Sequence, residues 1–121
     1  MTTILVVDDE HAIVEFLATF LQEEGYQVVT AHNGEEGLAG LAVTRPTVVL
    51  CDVMMPVLDG REMCRRMQAN PNYRSIPFVF MSAVSRASNF SECNYAALLP
   101  KPFDLDEVLK IVTQLSETAT S

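Results

Sequence analysis

Asp8, Asp9 and Glu10 follow the apolar run Ile4 to Val7, and Asp52 follows a second such run, Thr47 to Cys51. Ser82 comes directly after a third run, Pro77 to Met81, and Lys101 sits between Pro100 and Pro102 after a short fourth, Ala97 to Leu99. Carboxylates at close range raise one another's pKa and oppose ionisation, so a cluster of them calls for positive charge. Hard oxygen donors suit Mg²⁺ or Mn²⁺. Mg²⁺ typically keeps several waters and takes one or two carboxylates plus phosphate oxygens, and Lys101 offers a second, movable charge. A carboxylate beside a divalent ion and a lysine is suited to attack phosphorus and carry the phosphoryl group as an acyl phosphate. Ser82 adds a hydroxyl to such a site. Each residue taken singly also fits a blander role. Asp8, Asp9 and Glu10 can cap a helix and complement its dipole, Asp52 can be a turn acid, Ser82 can bond to backbone, and Lys101 can be a solvated loop charge.

The runs that carry these residues read as strands. Ile4 to Val7 and Thr47 to Cys51 are continuous and β-branched, the pattern of strands buried on both faces; Pro77 to Met81 makes a fourth strand and Ala97 to Leu99 a short fifth. Tyr26 to Ala31 is a more polar strand, expected near a sheet edge. Between them, Ile13, Phe16, Leu17, Phe20 and Leu21 step by three and four along one helix face, with Gly25 placed to end that helix. Asn33 caps a helix carrying Leu38, Leu41 and Ala42, with Pro46 beyond it. Gly60, Met63, Cys64 and Met67 form a third stripe closed by the Asn70 and Pro71 turn. The last helix opens at Asp104, with Glu107 three residues on, and turns Leu105, Val108, Leu109, Val112 and Leu115 inward. Ser116 to Ser121, polar and unpatterned, reads as a frayed tail. Strand and helix alternate five times, which predicts an α/β fold with a parallel sheet between helices on both faces. Ligands on such doubly wound sheets bind at the carboxyl ends of the strands, where the acids, Ser82 and Lys101 all fall.

With 121 residues, 49% of them apolar, the chain has the size and material for one compact domain. A formal charge of −8 argues against direct nucleic-acid binding, which needs a basic stripe to displace counterions. There is neither a long apolar span nor a signal-peptide series at the N-terminus, so a cytoplasmic location without membrane insertion is expected. Cys51, Cys64 and Cys93 are odd in number and lack CxxC or metal-finger spacing; buried small hydrophobes are the expected role, and a disulfide or zinc site is not.

Four ordered blocks carry a family resemblance: Ile4 to Glu10 (ILVVDDE), Asp52 to Gly60 (DVMMPVLDG), Met81 to Ala83 (MSA) and Leu99 to Phe103 (LPKPF). Across residues 1–121 the chain resembles the response-regulator receiver domains of two-component phosphorelays. The resemblance implies a flavodoxin-like, five-stranded sheet in the order 2-1-3-4-5 and a sensor histidine kinase or phosphotransfer protein as donor. Asp52 matches the phospho-acceptor. Asp9, Asp52 and the backbone carbonyl of Met54 match direct metal ligands, with Asp8 acting largely through water. Lys101 matches the phosphate-binding lysine, ahead of a cis peptide to Pro102, and Ser82 the switch hydroxyl. Pro56 and Gly60 shape the loop after the acceptor. The implied function is a phosphorylation switch that acts on a partner or output domain and promotes only its own phosphorylation and dephosphorylation.

Two departures stand out. The family usually places Tyr or Phe three residues before its lysine, and here that position is Leu98. The interval from Ser82 to Lys101 is shorter than the family habit by about one helical turn, roughly 3.6 residues. Ser85 to Asn94 offers only Ala87, Phe90 and Cys93 as apolar positions and is rich in Ser and Asn, so a short, distorted or missing fourth helix is expected, with partner choice or homodimerisation altered. These departures keep open a receiver-like interaction module that does not switch. An aspartyl-phosphate hydrolase is a further alternative, disfavoured because no DxDx[TV] pattern or cap insertion is present. His11 and His32 are expected on the surface. Of Met54 and Met55, one is expected to cover the site and the other to pack inward. Phe90 and Tyr95 would gain exposure from a shortened helix. The sequence leaves open whether the chain acts alone or as a segment of a larger regulator.

Overall fold

In the computed structural model, residues 2–82 and 93–120 are described, with the side chains of 118–120 excepted. The elements follow the order β1 (Thr3–Val7), α1 (His11–Glu23), β2 (Gln27–Ala31), α2 (Gly34–Thr44), β3 (Val48–Asp52), α3 (Gly60–Ala69), β4 (Phe78–Ser82), β5 (Ala97–Pro100) and α4 (Leu105–Thr120). The strands form one sheet in the order β2-β1-β3-β4-β5, every neighbouring pair parallel. The polar second strand is at an edge, as its composition suggests.

Successive strand side chains point to opposite faces, and this divides the core in two. Ile4, Val6, Val48, Leu50, Val79 and Met81 pack with Leu17 and Leu21 of α1 and Val108 and Val112 of α4. Leu5, Val7, Val49, Cys51, Phe78 and Phe80 pack on the other face with Leu41 of α2 and Met63 and Met67 of α3. Each central strand therefore needs apolar residues at every position, which is why three of the runs are unbroken in the sequence.

Side chains set the helix starts. The Asn33 carboxamide oxygen accepts from Glu36 N at 2.8 Å, and the Asp59 carboxylate from Glu62 N at 2.9 Å. Asp104 opens α4, accepting from Asp106 N at 3.0 Å.

Several expectations need correction. Phe16 is 53% exposed, and Val14 is buried in its place. The arc from Ile13 to Leu21 is wider than the contact α1 makes with the sheet. Ala42 is exposed, leaving Leu41 as the buried residue of its turn. The expected frayed tail is helical: α4 runs through Thr120, and Ser116 is buried. The cysteines also differ from expectation, because Cys64 of α3 and Cys93 are joined as a disulfide; only Cys51 remains a free buried thiol. Residues 83–92, where the shortened fourth helix and Phe90 were expected, lie outside the described residues.

Candidate functional site

Four strand ends build the site. The backbone of Asp8 extends the β1–β2 pairing through Asp8 N to Ala31 O at 3.1 Å. Asp8 is fully buried; its Oδ1 accepts from Glu10 N at 3.0 Å, and its Oδ2 from Lys101 Nζ at 2.8 Å. Asp52 ends β3 and is 8% exposed, with Oδ1 accepting from Val53 N at 2.9 Å. Lys101 Nζ lies 3.5 Å from that same Oδ1 and 3.7 Å from Glu10 Oε1. Lys101 is placed by its backbone, since Lys101 N donates to Ser82 O at 2.9 Å, and the Lys101–Pro102 peptide is cis. Ser82 is buried at the end of β4, opposite Pro100 in the register.

Burial and the neighbouring charges set the pKa shifts. Burial, and then the neighbouring Asp8 charge, push the Asp52 carboxyl up from 3.8 to about 6, against the lowering pull of Lys101. Burial works against the charge on Lys101, but its hydrogen bond to Asp8 and the charges of Asp52, Asp8 and Glu10 outweigh it, so its pKa ends above the ordinary lysine value.

Carboxylate oxygens of Asp8, Asp9 and Asp52 lie within 4.8 Å of one another, with Asp9 exposed to solvent. An all-oxygen donor set with one open side fits a hard divalent cation such as Mg²⁺. Beside it, an open cleft of about 320 Å³ is lined by Asp9, Met54, Met55, Pro56 and Asp59. Met54 is 72% exposed in this cleft, while Met55 packs partly buried against the α2/α3 side of the core.

The loop after Asp52 is held tightly at both ends. Gly60 N donates to Val53 O at 2.8 Å, and a Cβ on Gly60 would overlap the Asp52 carbonyl oxygen. Within the loop, Val57 adopts a φ of 69° while Leu58 N donates to Pro56 O at 2.7 Å, the pattern of a γ-turn. Leu98 is half-buried against the α2/α3 side, facing the same half-core as Phe80, its register partner.

The structure therefore brings Asp8, Asp9, Asp52, Ser82 and Lys101 to one rim. His11 and His32 stack on each other at 4.1 Å between ring centroids. Three features went unread in the sequence. Glu10 faces the lysine as well as opening the helix, and Asp59 caps α3; the latter was signalled by Glu62 three residues on. Val57's positive φ had no signal, since valine is a poor residue for it.

A doubly wound parallel sheet with an acidic cluster and a lysine at its carboxyl rim defines a class of protein, and comparison with known proteins narrows it. The model of the response regulator receiver domain matches residues 4–113, and the chain belongs to that family. The response regulator MprA of Mycobacterium avium is 40% identical over 109 residues, covering 88% of this chain and 47% of that protein. The chain thus spans about half the length of the curated relatives it matches. Among solved structures, the chemotaxis protein CheY4 of Vibrio cholerae superposes with a TM-score of 0.89 at 30% identity, covering 95% of this chain and 98% of that one. The response regulator TrrA of Thermotoga maritima, in complex with Mg²⁺-BeF, gives 0.85 at 34% identity, with 95% and 99% covered. Among the described residues no helix is long and apolar enough to cross a membrane.

Proposed function

We propose that residues 1–121 act as one receiver domain in which Asp52 accepts a phosphoryl group from the phosphohistidine of a sensor kinase or phosphotransfer protein. A carboxylate oxygen of Asp52 attacks phosphorus, the P–N bond to the donor imidazole breaks, and an acyl phosphate remains. Asp9, Asp52 and the Met54 carbonyl would hold Mg²⁺ or Mn²⁺, with Asp8 behind them; the ion supplies charge neutralisation for the phosphoryl oxygens. The Mg²⁺-BeF complex of TrrA supports this assignment. The observation that carries the reading is the Lys101 ammonium, held between Asp8 and Asp52 and able to pass to the phosphoryl oxygens. Ser82 is the hydroxyl that follows them. The resulting shift between two conformations changes the affinity of a partner or output domain for one of them. Leu98, already half-buried, takes the place of the family's aromatic in that shift. Chemistry on an external substrate forms no part of the proposal.

The test is incubation with acetyl phosphate, and separately with a phosphorylated histidine kinase, with and without Mg²⁺, read by intact mass spectrometry. The expected result is one Mg²⁺-dependent phosphoryl adduct that is absent from Asp52→Asn. No adduct from either donor would favour a receiver-like module that does not switch.

A further inference from the structure

We propose that Cys64 and Cys93 are a reversible oxidation site that fixes the lead-in to β5 against α3. Their Cα atoms are 6.0 Å apart, inside the range that a disulfide spans, about 4.4–6.8 Å. The approach is prepared by a second, non-covalent contact between α3 and the residue that follows Cys93. Gln68 lies four residues after Cys64, on the same face of α3. Its Nε2 donates to Asn94 O at 2.6 Å, and its Oε1 accepts from Asn94 N at 3.1 Å. This two-way amide clamp holds Asn94, and hence Cys93, over Cys64 whether or not the sulfurs are joined.

Cys51 offers an internal contrast. It is a free thiol buried within β3, and its Sγ donates to Asp52 O at 3.2 Å and lies 3.9 Å from Met63 Sδ rather than against another cysteine. Cys93 is the more exposed of the paired residues, 6% against none for Cys64. It is the first to react with a peroxide: its thiolate attacks one peroxide oxygen, the O–O bond breaks, and water leaves a sulfenic acid. The Cys64 thiolate then attacks that sulfur, the S–S bond forms, the S–O bond breaks, and a second water departs. The two thiols together lose two protons and two electrons to the peroxide, and a dithiol reductant returns them by exchange. In compartments that keep thiols reduced, pairs of this kind serve transiently, as sensors.

The bond acts on β5. Immediately after Asn94, Tyr95 meets Phe80 edge-on at 5.3 Å, Ala96 N donates to Phe78 O at 2.8 Å, and β5 begins at Ala97 and leads into Lys101. Oxidation ties the start of this strand to α3, while reduction leaves it to the Gln68 clamp and the sheet.

The test uses the whole chain treated with hydrogen peroxide or dithiothreitol, and it reads sulfur chemistry and amide exchange independently of Asp52. The wild type and Cys51→Ser should lose two hydrogens by intact mass on oxidation and regain them on reduction, whereas Cys64→Ser and Cys93→Ser should not. Peptide mapping of the oxidised wild type should recover the 64–93 cross-link, which carries the test if a serine variant fails to fold. Amides of residues 94–99 should exchange more slowly in the oxidised form. A cross-link through Cys51, oxygen addition in place of hydrogen loss, or equal exchange in the two forms would overturn the proposal.

Discussion

Lys101 is bound more closely to Asp8, at 2.8 Å, than to the proposed acceptor Asp52, at 3.5 Å. Asp8 is fully buried, and the lysine side chain retains 13% exposure. Removing the lysine therefore strands a buried carboxylate. Lys101→Met should lower the stability of the metal-free protein at pH 7 by about 3 kcal/mol, measured by urea unfolding. Added Mg²⁺ should recover part of the loss, because it neutralises the same acids.

Asp52 gives the metal-free protein a pH dependence. Its carboxyl is raised from 3.8 in the unfolded chain to about 6 in the folded one, so the folded state holds the extra proton between those values. Stability should accordingly fall as pH rises from about 4 to about 6, the sign opposite to that of a salt-bridged aspartate. Thermal melts should show Asp52→Asn more stable than wild type at pH 7 and equal to it near pH 4. Mg²⁺ should stabilise the wild type more at pH 7 than at pH 5.

Gly60 has no room for a side chain, because backbone on the Asp52 side occupies the space. Gly60→Ala should cost about 3 kcal/mol, since a backbone neighbour cannot swing aside as a flexible side chain can. The same displacement should slow formation of the phosphoryl adduct, which distinguishes it from a purely global loss.

Val57 points the other way. A β-branched residue with a φ of 69° is strained, and the side chain is 74% exposed, so little packing is lost on its removal. Val57→Gly should raise stability by about 1 kcal/mol, relief of strain exceeding the added chain entropy. An unchanged or lower melting temperature would count against strain at this turn.

Much of this was legible because the chemistry follows the periodicity. Strands buried on both faces leave unbroken apolar runs, and a parallel sheet sends the ends of those runs to one rim, so Asp8, Asp52, Ser82 and Lys101 could be grouped before any coordinates. What escaped depends on contacts at distance. Phe16 fits the helical stripe, yet only the extent of the sheet beneath α1 decides that it stays outside. Cys64 and Cys93 stand 29 residues apart, and no spacing rule pairs them; α3 and the lead-in to β5 must first be neighbours. The preference of Lys101 for Asp8 over Asp52 is likewise a matter of tenths of an ångström.

The sheet that divides the core into two clusters also works as a partition between two separately variable compartments. Side chains beneath α1 and α4 share few neighbours with those beneath α2 and α3, so paired substitutions, one from each side, should act additively. The acidic rim belongs to neither compartment, since its residues lie at the ends of strands common to both. Lineages of such domains can therefore resurface and repack one side to suit a new associate while the other side, and the rim chemistry, keep their inherited form.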